Sequence, residues 1–414
     1  MRRRRTVAVA LVLALIGGGT AAYVTERAAR AERVETARSD AATAEAGLRS
    51  DLDAALGELR TAADDGGAVL AGTDLDAVDT PEDARGLANA GLDAVPIDAL
   101  TLALADAQAQ LDTPITVATR PETVENVRVD APVSTTPSVT DVQASTAAVA
   151  GAVEDVRTAR TTVATQAVTD ALAPARSRLA QWEPIAADPA QLDDLRSAVA
   201  AAAAATDGTA PTDLAGLAVL RASLETATAA HPEVVTSPDA PTSIDGVPIV
   251  NKAIPLPDGY DPGLLPEVAA AFDAMAATAA AEAGLRLFVH SGYRSYGDQL
   301  VTYDGWAALH GRNAADRFSS RPGYSEHQSG LSLDVNDASR SFDGTPEALW
   351  VAANAHRFGF VVRYPEGKEA VTGYVHEPWH LRHLGVELAT RLVTSGLTLE
   401  EHLGVRSAYA PDAS

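Results

Sequence analysis

The stretch SEHQSGLSLDV, residues 325–335, places His327 seven residues before Asp334. A second stretch, EPWHLRH, places Glu377 three residues before His380. Two imidazoles and a carboxylate leave the fourth position of a tetrahedral zinc ion open for water, which is the arrangement of a catalytic rather than a structural site. The spacing therefore predicts one zinc ion, with Glu377 as the spare carboxylate that takes a proton from water.

The letters around Glu377 also fit a different zinc motif. His376, Glu377 and His380 form H-E-x-x-H, which binds zinc when both histidines project from one face of a helix. Pro378 would lie inside that helix, where it removes a hydrogen bond and costs about 3 kcal/mol. The preceding residues 371–375, VTGYV, are typical of a strand or turn. We therefore predict that His376 is a neighbour of the site and not a ligand.

Histidines and aromatic residues are concentrated in the C-terminal part of the chain. Eight of the nine histidines lie between His290 and His402, and only Tyr23 and Trp182 among the aromatic residues precede residue 241. Cysteine is absent, so a metal site must use histidine and carboxylate ligands. The formal net charge of −24 argues against nucleic acid as a partner, because nucleic-acid binding needs basic patches.

The N-terminus has the charge pattern of a membrane segment. Four arginines, residues 2–5, precede an uncharged and mostly apolar run at residues 6–24. This run is just long enough for one membrane span, and the preceding arginines keep the N-terminus in the cytoplasm. We expect residues 1–24 to be a single-pass anchor, with the C-terminal domain outside the cell membrane. The small residues at 17–22 would instead suit a signal peptidase, in which case the protein is secreted.

Residues 25–230 are rich in alanine and mostly follow helical spacing. The leucines at positions 48, 52, 56 and 59 form one apolar stripe in a helix predicted over residues 25–65, which ends at the glycine pair 66–67. This region is predicted to be a helical stalk or bundle that could also self-associate. Residues 113–137 are rich in valine, threonine and proline and fit either an extended linker or a small β element.

The C-terminal part has the composition of a mixed domain. Residues 231–245 are predicted to be a Pro-rich linker, residues 246–405 an α+β domain, and residues 406–414 a disordered tail. Within the α+β domain, residues 264–284 follow the spacing of an amphipathic helix. Short apolar runs predict three strands, at residues 285–290, 331–335 and 360–364.

Five quoted stretches of this domain follow one another in order: VNK (250–252), SGYRSYGDQ (291–299), PGYSEHQSGLSLDV (322–335), FGFVVRYPEGKE (358–369) and TGYVHEPWHLRH (372–383). Together they resemble the D-alanyl-D-alanine carboxypeptidases of the VanY type, relatives of the D,D-dipeptidases of vancomycin resistance. The resemblance covers about residues 246–404 and does not extend to residues 1–240.

The resemblance implies a role for each residue of the site. His327, Asp334 and His380 match the zinc ligands of the family, and Glu377 matches its catalytic base. Arg294 matches the arginine that steadies the developing oxyanion, for which a rigid and always charged guanidinium is suited. Three more residues are predicted to support or line the pocket: Gln299, Ser325 and Trp379.

The implied activity is that of a zinc D,D-carboxypeptidase that removes terminal D-alanine from peptidoglycan stem peptides. A D,D-dipeptidase or a cell-wall endopeptidase on the same scaffold is the alternative within the enzymes, because these differ in how the pocket is closed. A wall-associated scaffolding protein with an inactive peptidase domain is the alternative from another class. The intact set of three ligands and Glu377 argues against it.

Overall fold

The computed structural model describes residues 2–74, 91–210 and 212–410, with side chains described from Thr20 onward. The chain divides into two compact units. The first comprises Met1–Ala167 and Thr212–Val219, and the second comprises Val168–Pro211 and Leu220–Ser414.

The N-terminal elements that the structure describes are helices interrupted by one hairpin. In chain order they are α1 (Arg2–Ala71), α2 (Ala94–Asp112), β1 (Thr116–Val124), β2 (Val127–Thr136), α3 (Val139–Trp182), a 3₁₀ turn (Pro189–Leu192), α4 (Asp193–Thr206) and α5 (Leu214–Ala229). The helical interpretation is confirmed for the described residues of this region. The open alternative for residues 113–137 is resolved in favour of a β element, because β1 and β2 pair antiparallel.

The first helix is longer than predicted. It does not end at the glycine pair 66–67 but continues to Ala71. A Cβ atom at Gly66 would lie 3.0 Å from Leu104 of α2 and 3.2 Å from Val149 of α3. The glycine therefore allows three helices to approach closely in the core that also buries Leu52 and Leu59, and it does not act as a helix stop.

The elements of the second unit that follow α5 are short strands and helices. In chain order they are β3 (Val234–Val235), β4 (Ser243–Ile244), β5 (Val247–Pro248), α6 (Pro266–Ala283), β6 (Val289–Ser291), α7 (Tyr296–His310), α8 (Arg312–Ala315), β7 (Ser332–Val335), a 3₁₀ turn (Arg340–Phe342), α9 (Pro346–Asn354), a 3₁₀ turn (Ala355–Phe358), β8 (Phe360–Tyr364), α10 (Glu369–Thr372), β9 (Glu377–His383), α11 (Val386–Ser395) and α12 (Leu399–Leu403).

An antiparallel sheet with strand order β6–β7–β9–β8 carries the site. Leu333 of β7 and Leu381 of β9 pack with α6 in one core. Successive side chains of a strand point to opposite faces, so Asp334 and His380 lie on the other face of the sheet. The alternation of polar and apolar residues in these strands thus separates the site from the core beneath it.

Two segments are more ordered than predicted. Residues 231–245 were expected to be a linker, but Val234 and Ile244 are buried in a second core with Trp182. Residues 406–410 were expected to belong to a disordered tail, but the Tyr409 hydroxyl accepts a hydrogen bond from the backbone N–H of Arg321. Composition misled the prediction because a few apolar side chains in a Pro-rich segment are enough to attach it to a neighbouring core. Residues 411–414 of the tail lie outside the described residues.

In the described part of the chain, no helix has an apolar stretch that is long enough to cross a membrane. The predicted anchor, residues 1–24, falls mostly on residues 1–19, whose side chains are outside that part.

Candidate metal and catalytic site

Pairing of β7 with β9 brings two of the predicted ligands together. Asp334 and His380 are directly opposite each other in the antiparallel register, and His380 Nδ1 lies 3.2 Å from Asp334 Oδ1. His327 comes from the turns that precede β7, and its Nε2 lies 3.3 Å from Asp334 Oδ2. One ligand atom from each of the three buried side chains lies within 4.8 Å of the others. The structure therefore assembles the predicted set.

The hydrogen bonds of the two imidazoles orient the nitrogens that face Asp334. His327 Nδ1 donates to the carbonyl oxygen of Gly292 over 2.7 Å, so Nε2 is the nitrogen available to a metal. His380 Nε2 donates to the carboxylate of Glu326 over 3.3 Å, which leaves Nδ1 available. The buried Asp334 Oδ1 has no well-aligned hydrogen bond in the structure. This donor set of two imidazole nitrogens and one carboxylate suits zinc with an open fourth position.

The electrostatics of the three residues also suit a cation. Burial acts to raise the pKa of Asp334, but the neighbouring His327 and His380 outweigh it and hold that pKa well below its usual value. Burial acts to lower the pKa of His380, but the neighbouring carboxylates of Asp334 and Glu326 outweigh it and raise the pKa to about 9. Both shifts have the direction expected where buried carboxylates and imidazoles favour positive charge between them.

Glu377 reaches the same site through an irregularity of β9. Along β8 the register advances by two residues from Val362 to Tyr364, while along β9 it advances by four, from Leu381 to Glu377. Such a bulge re-aims a side chain that strict alternation would point to the opposite face. Glu377 Oε2 lies 4.0 Å from His380 Nδ1. Burial raises the pKa of Glu377 to about 8, and Asp334 adds to the shift while His380 opposes it.

The strand assignment confirms that the H-E-x-x-H interpretation does not apply, because Pro378 lies in β9 and not in a helix. The His376 ring donates from Nδ1 to the carbonyl oxygen of Tyr364 over 2.9 Å. Among the described residues, the group that could hold a metal contains His327, Asp334 and His380 but not His376.

A cavity of about 660 Å³ opens over the site, and all eight predicted site residues line it. Arg294 is half-buried there, and its backbone N–H donates to the carbonyl oxygen of His327 over 3.3 Å. Its Nη1 donates to Gln299 Oε1 over 2.9 Å, and its Nη2 donates to Ser291 Oγ over 3.0 Å. The fully buried Gln299 donates in turn to the carbonyl oxygen of Ser320 over 2.7 Å. Gln299 thus orients Arg294.

A buried network of four charged residues lies behind the ligands, and the sequence analysis missed all of it. Glu326 Oε1 accepts from Arg363 Nε and from Arg382 Nη1, each over 2.8 Å. Arg363 also donates to both carboxylate oxygens of Glu400, over 2.7 and 2.5 Å. The sequence does contain one indication of this network. Arg363 is the one charged residue of the apolar strand FVVRY, and a buried charge requires a partner.

The family model described as VanY: D-alanyl-D-alanine carboxypeptidase matches residues 262–386. VanXYC of Enterococcus gallinarum, a bifunctional D-Ala-D-Ala dipeptidase and D-Ala-D-Ala carboxypeptidase, is 30% identical over 151 residues. These residues are 34% of this chain and 78% of that protein. The chain belongs to the VanY family. The family resemblance noted in the sequence is therefore confirmed for the C-terminal part of this VanY-family chain.

Two further relatives show the extent of the similarity. YodJ of Bacillus subtilis (strain 168) is 37% identical over 178 residues, which are 37% of this VanY-family chain and 65% of YodJ. The solved structure of the LdcB LD-carboxypeptidase is 41% identical, covers 44% of this chain and 100% of the solved one, and superposes with a TM-score of 0.40. The chain thus spans slightly less than two thirds of YodJ.

Proposed function

We propose that this chain is a zinc-dependent D,D-carboxypeptidase that removes the terminal D-alanine from peptidoglycan stem peptides. The observation that carries the proposal is the position of Glu377 beside the cluster of His327, Asp334 and His380, in a cavity that also presents Arg294. The name of the E. gallinarum relative, which includes D-Ala-D-Ala carboxypeptidase, supports the substrate class.

The residues of the site have complementary roles in this proposal. His327, Asp334 and His380 would hold zinc, which when bound would supply a Lewis acid to polarise the scissile carbonyl and make water more acidic. Glu377 takes the proton of the attacking water and returns it to the leaving amine. Arg294 donates to the developing oxyanion or to the terminal carboxylate of the peptide.

The decisive experiment is to incubate the zinc-loaded full chain with a stem pentapeptide that ends in D-Ala-D-Ala and to weigh the products. Loss of one alanine is the expected result. Free D-Ala-D-Ala is offered as a second substrate, and its hydrolysis to two alanines without cleavage of the pentapeptide would make the chain a D,D-dipeptidase, the other activity in the name of the bifunctional relative. A tetrapeptide with a terminal L,D bond and a cross-linked peptide are run in parallel to identify an L,D-carboxypeptidase or an endopeptidase. No cleavage of any of these peptides would refute the proposal.

Glu377→Gln separates the base from the ligands. The amide keeps the shape of the carboxyl group but cannot take a proton, so zinc content should stay at one per chain while the rate falls by about 10²–10⁴-fold. Loss of zinc in this variant would show that Glu377 is a ligand and that the assigned roles are wrong.

We also propose that the catalytic domain works outside the cell membrane, held by residues 1–24. The support is the arginine cluster at residues 2–5 and the uncharged run that follows it. Protease added to wall-stripped cells should digest the C-terminal domain and leave a small N-terminal fragment in the membrane. A domain that stays protected until lysis contradicts this topology, and recovery of the domain from the medium indicates a cleaved signal peptide.

A further inference from the structure

The carboxylate of Glu326 connects a metal-site histidine to the buried charged network. Its Oε2 accepts from His380 Nε2 over 3.3 Å and from Ser332 Oγ over 3.0 Å. Its Oε1 accepts from Arg363 and Arg382. Glu326 is 2% exposed and His380 is 4% exposed, so water does not compete for these bonds.

We propose that Glu326 is a positioning residue that fixes the tautomer of His380, with the proton on Nε2 and the Nδ1 lone pair directed to the metal. The inference rests on the proposed zinc site and adds a residue that does not itself bind the metal. A carboxylate can only accept hydrogen bonds, so the ring nitrogen that faces Glu326 has to carry a proton. The opposite nitrogen, Nδ1, faces Asp334. When a metal is bound, Nδ1 then carries no proton and its lone pair is free to bind the metal.

The two arginines determine which oxygen of the Glu326 side chain faces His380. Both guanidinium groups donate to Oε1, so that position has to be occupied by an acceptor. In Glu326→Gln the amide oxygen must therefore stay at the Oε1 position, which places the NH₂ group against His380 Nε2. An NH₂ group donates, so it would move the imidazole proton to Nδ1, where it blocks the metal.

Two other side chains of the network provide matched controls. Glu400 is 0% exposed and bonds Arg363 with both oxygens, but its remaining side-chain hydrogen bond comes from Asn251 and not from a metal ligand. Glu400→Gln thus removes a buried charge from the same network without touching His380. Ser332→Ala removes the second donor to Oε2 and leaves the acceptor for His380 in place.

The test measures the zinc affinity of the full chain by competition with a chelator, alongside the thermal stability of the metal-free proteins. Glu326→Gln should weaken zinc binding by about 10–100-fold. Glu400→Gln should lose stability but bind zinc as the wild type does, and Ser332→Ala should also keep the wild-type affinity. Unchanged zinc affinity in Glu326→Gln overturns the proposal, and so does an equal loss of affinity in Glu400→Gln.

A second measurement uses the zinc-loaded wild type and does not require Glu326→Gln to fold. In the zinc-loaded wild type labelled with ¹⁵N-histidine, the His380 ring, identified by its absence in His380→Gln, should show a protonated Nε2 and a metal-bound Nδ1. The reverse assignment overturns the proposal. A wild type that binds no zinc refutes the proposed function itself. If the wild type binds zinc and cleaves the pentapeptide, but Glu326→Gln binds zinc with the same affinity, only this inference is refuted.

Discussion

Replacement of Arg363 by methionine should destabilise the second unit strongly. Arg363 donates three hydrogen bonds to Glu326 and Glu400, and all three side chains are at most 1% exposed. Methionine fills much of the same space but carries no charge, so Glu400 would keep its charge with only Asn251 as a side-chain donor. Removal of one partner of a buried ion pair costs about 3–5 kcal/mol, because the other charge is left without compensation.

Arg317→Met is the matched control. The Arg317–Glu369 pair has an N–O distance of 2.7 Å, close to the distances of the Arg363 pairs, but its side chains are 61% and 43% exposed. An exposed pair contributes about 0–1 kcal/mol. Because the N–O distances are similar, the difference in the free energy of unfolding between the two variants reports the effect of burial and not of hydrogen-bond length. Arg363→Met combined with Glu400→Gln should recover part of the loss, because Glu400 then no longer carries an unpaired charge.

Tryptophan fluorescence during urea unfolding measures this free energy for the second unit alone. All four tryptophans lie in that unit, at positions 182, 306, 350 and 379. The free energy of unfolding should fall by about 3–5 kcal/mol in Arg363→Met and by at most about 1 kcal/mol in Arg317→Met. Equal losses in the two variants would refute the reasoning, since the network would then contribute no more than a surface pair.

Three further predictions concern the site and its surroundings. His380→Ala should lose zinc whereas His376→Ala should retain zinc and most activity, as metal analysis and peptide turnover will show. The reverse result would make His376 a ligand in place of His380. Gln299→Ala should lower kcat/KM by about 10–100-fold at unchanged zinc content, because Arg294 loses the acceptor that orients it, and an unchanged kcat/KM contradicts that role. Burial lowers the pKa of Lys252 to about 8, so between about pH 8 and 10.5 the unfolded chain binds this proton more than the folded chain does. The free energy of unfolding of the wild type should therefore rise with pH relative to that of Lys252→Met, by up to about 3 kcal/mol, and a flat difference in urea unfolding contradicts the shift.

The sequence by itself was sufficient to select the residues that the structure brings together at the candidate site. His327, Asp334, Glu377 and His380 stand out because the residue types determine which atoms can bind zinc or accept a proton, wherever the chain places them. The local pattern also rejected a helix at Glu377, since Pro378 is incompatible with a helix interior. Strand β8 was predicted over the same residues because an apolar run between turns has a strong local signal.

The tertiary structure alone decided how these residues face one another. Strict alternation along β9 would point Glu377 away from His380, and only the bulge against β8 brings it to the site. The link from His380 through Glu326 to Arg363 joins residues 37 and more positions apart in the chain. From the sequence, Gly66 is predicted to end a helix. Only its close contacts with the neighbouring helices show that it lies inside one. Periodicity reports the face of an isolated element, whereas register, ion-pair partners and close approach depend on contacts between distant segments, which no local pattern contains.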